Sequence, residues 1–145
     1  MSYRTIKLKR YQDIVNEETA AGSILPGSLV EITPNGVRNH NTAAGTAATM
    51  FALEDELQGK TTRDEYAEGD KGQVWYAQPG EEVLAVVGSS FDPAVGAYLE
   101  SAGDGTLRAV TAAGAENDAG FPVAQVIGEK IEDDNGNHRV PVRVL

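Results

Sequence analysis

Along most of the chain, short runs in which apolar and polar residues alternate are cut by Gly, Asn, Asp and Pro. The runs are SLVEIT (28–33), GQVWYAQ (72–78), EVLAVVG (82–88), AYLESA (97–102), VAQVIGEKI (123–131) and HRVPVRVL (138–145). A period of two puts successive side chains on opposite faces, and β-branched and aromatic residues suit a half-buried pleated surface, so each run reads as a strand. Asn35-Gly36, Asp104-Gly105 and Asn135-Gly136 are dipeptides that tolerate positive φ at both central positions of a tight turn, and they predict three hairpins. Helical spacing is confined to RYQDIVNEETA (10–20) and TRDEYAEG (62–69), a few turns each at most. The pattern predicts an all-β fold.

Two stretches of small residues, NHNTAAGTAAT (39–49) and TAAGAENDAG (111–120), bury too little area to offset the entropy of ordering them, and they read as loops. Each follows a hairpin turn, which points to an internal repeat. A shift of 69 residues lays GSLVEITPNG (27–36) on GAYLESAGDG (96–105), matching Gly27 with Gly96, Glu31 with Glu100, Asn35 with Asp104 and Gly36 with Gly105. ALED (52–55) then answers KIED (130–133), and GQVWYA (72–77) answers HRVPVRVL. The expected organisation is an N-terminal basic arm and lead-in over 1–22, then a single β domain over 23–145 built from units 27–88 and 96–145. Neither unit alone covers its apolar face or its edges; together they close into a small barrel or sandwich.

Length and composition narrow the function. At 145 residues the chain suits one domain with its own core. It has no cysteine, which removes disulfides, thiolate metal sites and cysteine nucleophiles. No apolar run approaches the roughly 20 residues of a membrane span, and MSYRTIKLKR is not followed by the apolar stretch of a signal peptide. Net charge is -10, but Arg4, Lys7, Lys9 and Arg10 stand without an acid in residues 1–10, leaving 8 bases against 22 acids, or -14, for the rest. An acidic body does not displace counterions from phosphates, so nucleic acid is not an expected partner, and neither is a membrane.

Candidate chemistry dissolves on inspection. Gly59-Lys60-Thr61-Thr62 ends like a phosphate-binding loop, yet Glu54 stands where its first glycine belongs, with Asp55 and Glu56 following. Three carboxylates there repel a polyphosphate more than one lysine attracts it. His40 and His138 have no nucleophile or carboxylate at relay spacing and read as surface histidines, although triads assemble in space rather than in sequence. EDDNGN (132–137) resembles part of a calcium loop but has Ile131 at a ligand position and lacks the late bidentate glutamate. Gly103-Asp104-Gly105 begins a dinucleotide fingerprint that fails at Arg108. Both are turns. Glu81-Glu82 and Asp133-Asp134 read as solvated edge acids; Trp75 faces either the core or a partner surface, and reads as a core residue because tryptophan is so often buried. No catalytic residue, metal ligand or cofactor site is nominated.

The order LPGSLVEITPNGVRNHNTAAGTAATMFALEDELQGK, YAEGDKGQVWYAQPGEEVLAVV and GAYLESAGDGTLRAV, with YRTIKLKRYQDIV at the start, resembles the capsid decoration (cement) proteins of tailed bacteriophages. The likeness covers nearly the whole chain and rests on glycine turns and strand alternation rather than on a catalytic signature. It implies a small β-rich, β-tulip-like protein similar to the lambda-type head-stabilising proteins: no enzyme, but a homotrimer on the outer surface of the virion, bound to the major capsid protein. It also implies an N-terminal arm lying on the shell, here Tyr3, Arg4, Ile6, Lys7, Leu8, Lys9, Arg10 and Tyr11. Independently, Arg4, Ile6 and Leu8 alternate with Thr5, Lys7 and Lys9, a pattern that suits strand addition to a partner's sheet edge; the competing reading makes this segment the first strand of the protein's own barrel. Two other functional classes stand beside this one. A surface-displayed carbohydrate- or host-binding module would use loops 39–49 and 111–120, which contain no aromatic residue. A small hydrolase would need a residue that the sequence does not nominate.

Overall fold

The computed structural model describes residues 14–110 and 120–145. Its first five strands are β1 (Ile14–Thr19), β2 (Val30–Thr33), β3 (Gly36–Asn39), β4 (Met50–Ala52) and β5 (Lys71–Tyr76). β5 lies antiparallel between β1 and β4, and β2 and β3 form a hairpin. Single bridges, Ala20 with Val37 and Leu29 with Phe51, join that hairpin to β1 and β4, so the pairings of this set run in a ring, a first barrel closed by single bridges. Then come β6 (Glu82–Val87), β7 (Tyr98–Ser101), β8 (Leu107–Ala109), β9 (Ala124–Val126), the short β10 (Ile131–Glu132) and β11 (His138–Val144). β6 pairs antiparallel with β11 and parallel with β8. β7 joins β8 to β9, and β9 returns to β11, closing a five-stranded barrel to which β10 adds an edge.

Both sets of strands follow one pairing scheme. β1, β2, β3, β4 and β5 meet one another as β6, β7, β8, β9 and β11 do, down to the single parallel contact, Ala20 with Val37 in one set and Val87 with Leu107 in the other. Glu31 faces Arg38 across the first hairpin, as Glu100 faces Arg108 across the second. The division falls between β5 and β6, whereas the sequence units assign 82–88 to the first half; the ladder partners of β6 are β8 and β11. In the same way, the counterpart of β4 is β9 rather than residues 130–133. The run VAQVIGEKI is two strands, because the chain passes over the ring of Pro141 at Gly128, where a Cβ would lie 2.6 Å from Pro141 Cγ.

Over their described residues, neither stretch with helical spacing is helical. Ile14, Val15 and Thr19 belong to β1, so residues 14–22 are part of the body and not of an arm. In 62–69, Tyr66 bridges Ile24 and fills the first core. The three predicted turns form with altered chemistry. Gly36, Gly105 and Gly136 have φ of 122, 88 and 80°, but no Asn or Asp has positive φ among the described residues. Asp104 and Asp133 instead accept backbone N–H groups two residues on, from Thr106 at 3.0 Å and Asn135 at 2.9 Å. Their loops are longer than two residues, closed by Ser101–Leu107 and Glu132–His138.

Two apolar clusters result. Ala20, Ile24, Val30, Val37, Met50, Ala52, Tyr66 and Val74 fill the first set of strands. The second cluster holds the inward residues of β6, β7, β8, β9 and β11 together with Leu29, Ala47, Phe51 and Ala77 from the first half. Residues of β4 are buried on both faces: Met50 and Ala52 point into one core, and Phe51 into the other. Burying a phenylalanine side chain contributes about 1.5–3 kcal/mol, so this strand joins the halves apolar face to apolar face.

Candidate functional site

The seam between the halves gathers most of the buried polar chemistry. Val86 N–H donates to Gly27 O, Leu29 N–H to Gly105 O, and Gly105 N–H to His40 O. The imidazole of His40 is buried, correcting the expectation of a surface residue. Its Nδ1 lies 2.7 Å from Ser101 Oγ and its Nε2 3.0 Å from Thr46 O. With Nε2 donating to the Thr46 carbonyl, Nδ1 accepts from the Ser101 hydroxyl. Glu31 Oε2 is 4.0 Å from Nε2. Serine, histidine and carboxylate thus meet, but Ser101 is completely buried and its oxygen also accepts the Gly103 N–H. The arrangement orders loop 39–49 against β7.

Among the described residues, Arg139 is the largest fully buried side chain. Its guanidinium donates to the carbonyls of Pro26 and Thr62 and reaches Asp133 Oδ2 at 3.5 Å. Nothing in the sequence distinguishes Arg139 from Arg143, which lies on the same strand but is exposed, paired with Glu82. Asp133 is more than the edge acid expected. Burial raises its pKa, but donation from Asn137 N–H and side chain, from Asn135 N–H and from Arg139 outweighs this and holds it below the usual aspartate value. His138 is half-buried at the rim of a polar cleft of about 310 Å³ that Ser23, Ser28 and Asn39 share with Asp104 and Asn137. Among the described residues, no group of three His, Asp or Glu side chains is placed to hold a metal ion.

Of the residues singled out from the sequence, Tyr3, Arg4, Ile6, Lys7, Leu8, Lys9, Arg10 and Tyr11 lie outside the described residues. So does the loop 111–119. Gly27 and Gly96 share φ of 91 and 93° but not surroundings. A Cβ on Gly27 would meet Arg139 Nη1 at 2.5 Å and Leu84 O at 2.7 Å, whereas one on Gly96 would meet nothing within 4 Å. Asn35 and Gly36 turn the first hairpin, Asp104 and Gly105 carry the second against the seam, and Asn135 and Gly136 turn the third at the surface.

The outward faces of the two sets differ in a way that alternation alone does not show. Leu29, just before β2, stands in one row with Phe51 of β4, Trp75 of β5 and Val15 of β1. Leu29 and Phe51 are fully buried, Trp75 is half-buried against the second core, and Val15 emerges at 39% exposure. The core position expected for Trp75 is therefore a seam position, where it shares a crevice with Leu84 and Val83. The corresponding row of the second barrel is Tyr98, Gln125, Arg143 and Glu82. Tyr98 is 52% exposed, and Leu145, beyond the end of β11, is 45% exposed.

No protein-family model matches the chain, and no curated protein matches it. Among solved structures, the N base of the head fiber protein gp8.5 of bacteriophage phi29 aligns with a TM-score of 0.57 at 14% sequence identity. The alignment covers 92% of this chain and 95% of that one. The two chains share a fold over nearly their whole length.

Proposed function

We propose that this protein is a structural component of a bacteriophage virion, a homotrimer on the outer surface of the head that binds the major capsid protein and cements neighbouring subunits. The observation that carries the reading is the fold shared with a phage head fiber base over 92% of the chain. The resemblance of the sequence to capsid decoration proteins supports it through different features, the order of glycine turns and strands. The charge distribution fits as well: the basic residues of 1–10 complement acidic surfaces, while the acidic remainder suits neither nucleic acid nor an anionic membrane. In this reading Tyr3 to Tyr11 supplies strand addition to an exposed sheet edge of the shell, with affinity from the backbone and steering from Lys7 and Lys9.

The test is co-sedimentation of the purified protein with expanded phage heads that lack it, alongside a variant without residues 1–10. The full chain is expected to bind saturably and to raise the temperature at which the heads lose DNA. The shortened chain is expected to stay folded by circular dichroism and to lose binding. Failure of the full chain to bind overturns the proposal; full binding by the shortened chain moves the anchor to the body.

A further inference from the structure

From the equivalence of the two barrels we infer that the exposed outer face of the second barrel is a self-association surface that receives the first barrel of another copy. The inference names the contact a homotrimer would use and rests on that part of the proposed function. Inside one chain, the face formed by Leu29, Phe51 and Trp75 is covered by the second barrel through the outer side of β6 and the turn at Gly105. Tyr98, Gln125 and Arg143 occupy the same places on β7, β9 and β11. Among the described residues Tyr98 is 52% exposed, and Val95 and Leu145 are 65 and 45% exposed.

The complementary element lies on the first barrel. β6 carries the covering side chains Leu84 and Val86, and its counterpart β1 carries Glu17 and Thr19 in the matching positions, since Leu84 lies opposite Pro141 as Glu17 lies opposite Gln73. Glu17 is exposed. Within the chain, Leu84 shares the crevice of Trp75. Repeating that contact between copies sets Glu17 against Arg143, so an apolar pair becomes an oppositely charged one. This is the substitution expected where a permanent internal contact is re-used as a reversible external one, because both groups return to water when the copies part. The ion pair of Arg143 with Glu82 inside the chain, at 3.2 Å with both groups more than half exposed, is weak enough to exchange. The contact joins two different faces, so it is heterologous and closes into a ring where the rotation between copies permits.

Because the chain has no cysteine, Glu17→Cys and Arg143→Cys place single thiols. The two variants, one carrying a size tag, are mixed and treated with a short bis-maleimide. The expected product is the mixed dimer in excess over either like-with-like dimer. In sedimentation equilibrium, Glu17→Arg and Arg143→Glu are each expected to weaken self-association about tenfold, and the double variant to restore it. A chain that stays monomeric at 100 micromolar, cross-links that are only like-with-like, or a double variant no better than the singles would each overturn the inference. Head binding by the same variants is measured separately: a protein that binds heads without forming the mixed dimer loses this contact and keeps the proposed role.

Discussion

Gly27 and Gly96 offer a matched pair of perturbations, since they stand at equivalent points before β2 and β7 with φ of 91 and 93°. Replacing either with alanine forces an L-residue into a left-handed conformation, at a cost of about 1–2 kcal/mol. Gly96→Ala carries this cost alone, because the new Cβ meets nothing within 4 Å. For Gly27→Ala the new methyl falls 2.7 Å from the backbone oxygen of Leu84 and 2.5 Å from Arg139 Nη1. Overpacking of this kind costs about 1–3 kcal/mol, and displacing Arg139 weakens a charge-assisted hydrogen bond to Pro26 O, worth about 1.5–3 kcal/mol. The expected losses are about 1–2 kcal/mol for Gly96→Ala and about 3–6 kcal/mol for Gly27→Ala. Urea unfolding followed by circular dichroism measures both, with the midpoint and the slope fitted separately. Equal losses at the two positions would refute the claim that Gly27 is needed for the close approach of β6 and Arg139 rather than for its φ alone.

Arg139→Met is expected to cost about 2–4 kcal/mol in the same assay, because the buried carbonyl of Pro26 and the partly buried one of Thr62 lose a donor. Phe51→Ala should cost about 3–5 kcal/mol through the cavity it leaves at the seam. Gln125→Ala, at the equivalent outer position, should stay within about 0.5 kcal/mol of the parent as a monomer. Tyr66 has its pKa raised above 10.0, first by burial and further by Asp55 and Glu54, against a lowering hydrogen bond from Gln73 N–H. A raised folded value means its contribution is complete below pH 10 and is lost as pH climbs through that value. The unfolding midpoint should therefore fall above pH 10 in the parent and less steeply in Tyr66→Phe. Asp133 has the opposite sign: its contribution is present above the ordinary aspartate value and is lost as pH falls through the lower folded one, an acid dependence that Asp133→Asn should blunt.

Strand existence was legible because period-two alternation records which face is wet, and Val74, Val83, Leu99 and Val142 are buried as their alternation implies. Pairing was less legible. β6 continues in sequence from β5, and only its ladder to β11 and its contact with Leu107 show which barrel it completes. β1 was obscured because its polar Asn16, Glu17 and Glu18 break the apolar alternation, and cross-strand pairing with β5 overrides local preference. His40 and Arg139 escaped for a common reason. Each is buried only because a distant segment supplies its partner, Ser101 for one and Pro26 for the other, and spacing along a chain carries no record of such meetings. Tyr98 was readable as a strand residue but not as an uncovered counterpart of Leu29, which required knowing that the first barrel covers its own version of that face.

The burial of β4 on both faces bears on how the molecule comes apart. If the two barrels were joined only by the tether between β5 and β6, each would melt at its own midpoint. With Met50 and Ala52 in one core and Phe51 in the other, opening either barrel strips this strand of half its contacts and exposes the remainder to water. The halves therefore form one cooperative unit, and amide protons on β4 are expected to exchange only through global unfolding. Force applied to one barrel reaches the other through a shared strand rather than through a hinge, so the chain resists shear as a single body.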